Sequence, residues 1–121
     1  MNTLLIPLTW AQGRDGAWYK LEEVDLSDVV TTGVYIVWHE GNPGRVVRVG
    51  QGDIAFRLRE HRSDPAIHRY RQFGTLRVTW ASVSVVQIDA VERYFADRLR
   101  PQIWDRYPAV RPLEVNSPFA A

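Results

Sequence analysis

Three polar residues fall on stretches of sequence that should face a protein interior. At about 100° per residue, Ile54, Arg57, Leu58 and His61 share roughly 100° of arc on one helix face. Further along, Ile88, Val91, Phe95 and Leu99 form a second apolar stripe with Glu92 in its middle, while Arg93 turns away. Burying a carboxylate or a guanidinium is costly unless the charge is paired. Two readings account for the trio. In one, Arg57 and Glu92 form a buried ion pair and His61 bonds a backbone carbonyl. In the other, Arg57 binds an anion and Glu92 holds a hard divalent cation. Both require the residues to converge, and they differ in whether solvent reaches them.

The elements that must position these residues follow from pattern. GVYIVW, from Gly33, is rich in β-branched and aromatic residues and predicts a strand, and RVVRVG predicts another. Gly41-Asn42-Pro43-Gly44 between them makes the pair an antiparallel hairpin. Asp53 is placed to cap a helix over about residues 54–63, and Asp64-Pro65 can start a short one through His68 and Tyr70. Alternation over Leu76–Val86 predicts a third strand. A helix opening at Gln87 or Asp89 then runs to about Arg100, where Pro101 stops it. The tail carries four prolines and predicts irregular chain. Residues 1–30 read as an N-terminal extension packed on the domain, with a short apolar strand near Leu4–Leu8, and residues 31–121 as the domain itself. The fold class is α+β: a small three-stranded antiparallel sheet flanked by helices, in the order β-β-α-β-α.

At 121 residues the chain suits one domain. It has no cysteine, which excludes a disulfide scaffold, a cysteine zinc site and a thiol nucleophile. MNTLLIPLTW lacks the basic flank of a secretory signal, and no uncharged stretch reaches the ~20 residues of a membrane span. A cytoplasmic protein with no membrane partner is expected. Fifteen basic residues face 14 acids for a net charge of +1, which argues against an indiscriminate polyanion binder. The distribution is uneven, at −4 over residues 1–40, +5 over 41–80 and zero thereafter. All the basic residues but Lys20 are arginine. A basic middle third is an electrostatic footprint for phosphate, and Arg59, Arg62, Arg69 and Arg71 are its candidates for nucleic-acid backbone contact.

The order of these fragments resembles the GIY-YIG nuclease family over about residues 33–118. Gly33-Val34-Tyr35 stands for the first motif and Arg48-Val49-Gly50 for the second. Arg57 with His61 four residues later, Glu92 followed by Pro101, and Asn116 followed by Pro118 complete the set. The resemblance implies metal-dependent hydrolysis of DNA phosphodiesters. It implies Glu92 as ligand of Mg2+ or another divalent cation such as Mn2+, and Arg57 on the scissile phosphate. Tyr35 would be general base or orienting partner for water, with His61 and Asn116 in support. A phenol titrates near 10, so Tyr35 could act as a base at neutral pH only if nearby cations lowered its pKa. The second motif departs from the family, because Arg48 replaces its tyrosine and an arginine cannot be a base. The departure keeps a second reading open: a catalytically silent relative that binds nucleic acid or protein.

DNA is the expected partner, with RNA and branched DNA as further candidates. No separate recognition domain is visible, so site-specific cutting would need a homodimer or a partner protein. His39, His61 and His68 match no familiar zinc spacing, and the serines form no nucleophile motif. Of the five tryptophans, Trp18 and Trp104 lie in loop-like contexts where a base could stack.

Overall fold

A computed structural model describes residues 7–119. Its elements run β1 (Tyr19–Lys20), β2 (Thr32–His39), β3 (Arg45–Asp53), α1 (Ile54–Arg62), α2 (Pro65–His68), a 3-10 helix (Arg69–Phe73), β4 (Leu76–Ser82) and α3 (Ile88–Leu99). The α+β class and the three expected strands are present. Among the described residues the sheet nonetheless has four strands, all antiparallel, in the order β1-β4-β2-β3. The extra strand comes from the N-terminal extension, where Tyr19 and Lys20 pair with Val78 and Arg77. The expected strand near Leu4–Leu8 lies outside the described residues except at Pro7 and Leu8, which are not in a strand.

The central strand β2 is buried on both faces, and each face feeds its own core. Tyr35 and Val37 pack with Ile54, Leu58, Ile67, Val78 and Trp80 beneath α1 and α2. Val34 and Ile36 pack with Val49, Val91, Phe95 and Tyr107 beneath α3. The extension contributes to both cores: Leu21, Val24 and Leu26 are buried in the first, where Tyr19 stacks on Trp80, and Trp10 packs edge-on against Phe95 of the second. It is therefore an integral part of the sheet and core.

The start of α1 and the end of α3 have local causes. The Asp53 carboxylate accepts from the Phe56 backbone N–H at 3.2 Å, capping α1. α3 ends where Arg100 adopts a left-handed conformation, φ 47°, and Pro101 follows. Beyond it the tail runs beside β3, with Gln102 and Ile103 N–H groups donating to the Val46 and Val47 carbonyls.

Candidate functional site

The site gathers at β3, where the two cores meet the edge of the sheet. Tyr35 lies opposite Gly50 in the register, and Val37 lies opposite Arg48. Gly50 carries no Cβ because the Tyr35 ring occupies that space. The Tyr35 hydroxyl contacts His61 Nε2 from α1 and accepts from Arg48 Nε at 3.4 Å. Arg48 has only protons to give, so the phenol proton is directed to the His61 lone pair. Arg48 also reaches outward to Asp105 at 2.8 Å, so a tail residue holds it over the phenol.

The surroundings set protonation states that differ from the sequence expectation. Burial pushes the Tyr35 pKa above the ordinary value, while the Arg48 hydrogen bond and charge lower it and offset burial only in part. Tyr35, 1% exposed, is a neutral phenol at pH 7. Burial pulls His61 down to about 4, with the Arg48 charge acting in the same direction. His61 is therefore a neutral acceptor.

The His61 shift has a consequence for stability. Its folded pKa lies below the unfolded value, so the unfolded chain binds the extra proton as pH falls from 6.5 to about 4. Stability supplied by neutral His61 is complete above that window and lost through it, by about 3 kcal/mol in all. Glu92 acts with the opposite sign, because burial raises its pKa. Chemical denaturation across the window is therefore best read as wild type against His61→Gln. We expect the variant to flatten the acid-side loss, and an unchanged pH slope would assign that loss elsewhere.

Glu92 sits on the α3 side, 7% exposed, and accepts from the Gln51 amide at 3.1 Å. The same amide nitrogen donates to Asp89 at 2.7 Å. Burial raises the Glu92 pKa, the Gln51 bond opposes this, and the Asp105 and Asp89 charges add to it. Among the described residues Glu92 forms no ion pair. A buried carboxylate compensated only by an amide fits a hard divalent cation. Among the described residues no cluster of three or more metal-ligating side chains is present, so Glu92 would supply one ligand rather than a cage.

Arg57 does not join Glu92, which overturns the buried ion pair. Its side chain is 48% exposed and pairs with Glu60 at 3.4 Å. The buried face of α1 is Ile54, Ala55, Leu58 and His61. Ala55 draws that arc to the far flank and leaves Arg57 about 40° outside it. The side chain instead lies over Gly52, on the rim, where its charge still reaches Tyr35 and His61.

Comparisons of the chain with protein-family models, curated proteins and solved structures find no match.

The remaining predicted residues are spread more widely. The Asn116 amide accepts from the Leu8 N–H at 2.6 Å and donates to the Leu8 carbonyl at 2.9 Å, so it ties tail to N-terminal segment. None of its hydrogen bonds goes to Tyr35, Arg57 or Glu92. Gly33 and Gly50 both mark close approaches to β2 or its tyrosine. Arg59 donates to the Leu26 carbonyl, Arg62 to those of Leu21 and Val24, and Arg71 pairs with Glu22. Arg69 lies over the Tyr70 ring. The three histidines have separate partners: His39 the Gly41 N–H, His61 Tyr35, and His68 the Arg62 carbonyl. Trp18 packs edge-on against Trp38, whereas Trp104 is exposed.

Sequence reasoning missed Gln51, Asp89, Asp105 and Tyr107. Asp89 stands three residues before Glu92, a spacing that puts both on one helix face and was readable. Asp105 and Tyr107 lie in irregular chain, where no periodicity says which way a side chain points. Tyr107 donates to the Val49 carbonyl at 2.8 Å, and burial raises its pKa.

Proposed function

We propose that the chain is a GIY-YIG-type, metal-dependent endonuclease hydrolysing DNA phosphodiester bonds, with RNA and branched DNA as further substrate candidates. The observation that carries this reading is the Tyr35 hydroxyl between a neutral His61 and Arg48, with the buried Glu92 carboxylate, bonded by an amide and by no cation among the described residues, near enough for its charge to act on the phenol. Arg57, accessible on the rim, binds the phosphate. Tyr35, held neutral by burial, orients the attacking water and hands its own hydrogen bond to His61. Glu92 would hold Mg2+ or Mn2+, which supplies Lewis-acid polarisation of the phosphoryl group. Arg48 and Arg57 add fixed positive charge where negative charge develops on the phosphorane.

One observation favours a second reading, a catalytically silent domain that binds nucleic acid or protein with this surface. Tyr35 is closed off from solvent, and the Arg48–Asp105 pair lies across its hydroxyl. Asp105→Ala separates the two. It frees Arg48 and removes no hydrogen bond of Tyr35, His61 or Glu92, although it also takes away a negative charge that acts on His61 and Glu92. On supercoiled plasmid with Mg2+, the nuclease reading expects nicking by wild type and faster nicking by Asp105→Ala. Intact plasmid from both proteins, with Mg2+ or Mn2+ and across DNA forms, would sink the nuclease reading and leave the silent one.

A further inference from the structure

Of the eight arginines in residues 41–80, six have an ion-pair or hydrogen-bond partner within the chain. Arg48, Arg57, Arg71 and Arg77 pair with Asp105, Glu60, Glu22 and Glu40, and Arg59 and Arg62 bond backbone carbonyls of the N-terminal segment. Among the described residues only Arg45 and Arg69 of this group have neither an ion pair nor a hydrogen bond. Both line one cleft of about 610 Å3, where the β2–β3 hairpin faces the 3-10 helix. That volume is of small-ligand size.

The cleft has an aromatic wall and no acid in its lining. Tyr70 stacks on His39 at 6.4 Å and 10°, and Phe73 sits 5.4 Å from His39 and 6.1 Å from Tyr70. Phe73 is 55% exposed, so much of its ring is open at the cleft. Arg69 already lies 5.4 Å from the Tyr70 ring centre, a guanidinium poised beside a π-face. His39, 4% exposed, accepts from the Gly41 N–H through Nδ1 at 3.0 Å. The neutral ring's proton is then on Nε2, which has no acceptor among the described residues. Gln102 contributes an amide at the same wall.

We infer that this cleft binds a nucleotide unit, with its base against Phe73 and Tyr70 and its phosphate on Arg45 and Arg69. Flat aromatic surface, two guanidinium groups without an ion pair or side-chain hydrogen bond, and free amide and imidazole donors match a base joined to a phosphate. His39 lies four residues from Tyr35 on the same strand, about 13 Å away. The cleft is therefore separate from the Tyr35 site, and its occupancy does not depend on cleavage. The unit is either a free mononucleotide or an unpaired nucleotide of a strand.

The fluorescent base 2-aminopurine, quenched by stacking, distinguishes these sources. It would be offered as the 5′-monophosphate and within a short single strand, without metal, to keep binding apart from hydrolysis. Saturable quenching of the monophosphate assigns a free nucleotide, and quenching of the strand alone assigns an unpaired residue. Phe73→Ala, at an exposed position, is expected to weaken binding about tenfold. The Arg45→Ala/Arg69→Ala pair should lower both affinity and its salt dependence. Absence of saturable quenching with either form would overturn the proposal. So would unaltered affinity in Phe73→Ala and in the double variant, each shown to be folded by circular dichroism.

Discussion

Gly33→Ala is expected to destabilise the domain by about 3 kcal/mol or more, because a side chain there has no space. Gly33 lies between Gly52 of β3 and Ser82 of β4, on the strand shared by both cores. An added Cβ would fall inside the contact distance of the Ala81 carbonyl oxygen. That oxygen belongs to strand backbone, so relief requires β2 and β4 to part. Gly50→Ala presents a different obstacle, the Tyr35 ring, and should disturb the site before the sheet. A thermal melt should show Gly33→Ala lowered by about 10 °C or more. A midpoint within about 3 °C of wild type would show that β4 yields more easily than its pairing suggests.

Glu92→Gln should separate activity from stability. The substitution keeps the shape and the oxygen that accepts from Gln51, and removes only the charge. Burial holds the Glu92 pKa above its unfolded value, with Asp105 and Asp89 contributing. A group raised in this way costs stability as pH rises through its folded pKa. At pH 7 the neutral amide removes that cost, so the variant should be more resistant to denaturant than wild type. If Glu92 holds the cation, Mg2+-dependent nicking should fall by about 100-fold or more, the scale for loss of one charge-stabilising group. Activity down with stability up is the signature of a side chain retained for function. Lower stability with unchanged nicking would make Glu92 structural.

The strands β2 and β3, the cap at Asp53 and the stop at Pro101 were legible because each rests on local chemistry: alternation, an Asx side chain, a missing N–H. β1 was not, since two residues carry no period and Tyr19–Lys20 is a strand only through pairing with β4. Arg57 lies only about 40° outside the buried arc of α1, enough to move it from core to rim. The charge asymmetry had a plainer outcome than expected. Glu22 meets Arg71 and Glu40 meets Arg77, so part of the acidic first third neutralises the basic middle third directly. Such pairings link residues tens of positions apart, and one sequence read locally does not contain them.

The tail along β3 also bears on how copies of the chain meet. A strand with open N–H and C=O groups is a template for another strand. Here Gln102, Ile103 and Tyr107 occupy the carbonyls of Val46, Val47 and Val49. At the opposite edge β1 is only two residues long. One border is covered over Val46–Val49 and the other is only two residues long, which limits the edge open to edge-to-edge polymerisation. Self-association of the folded chain would therefore use side-chain surfaces rather than a continued sheet.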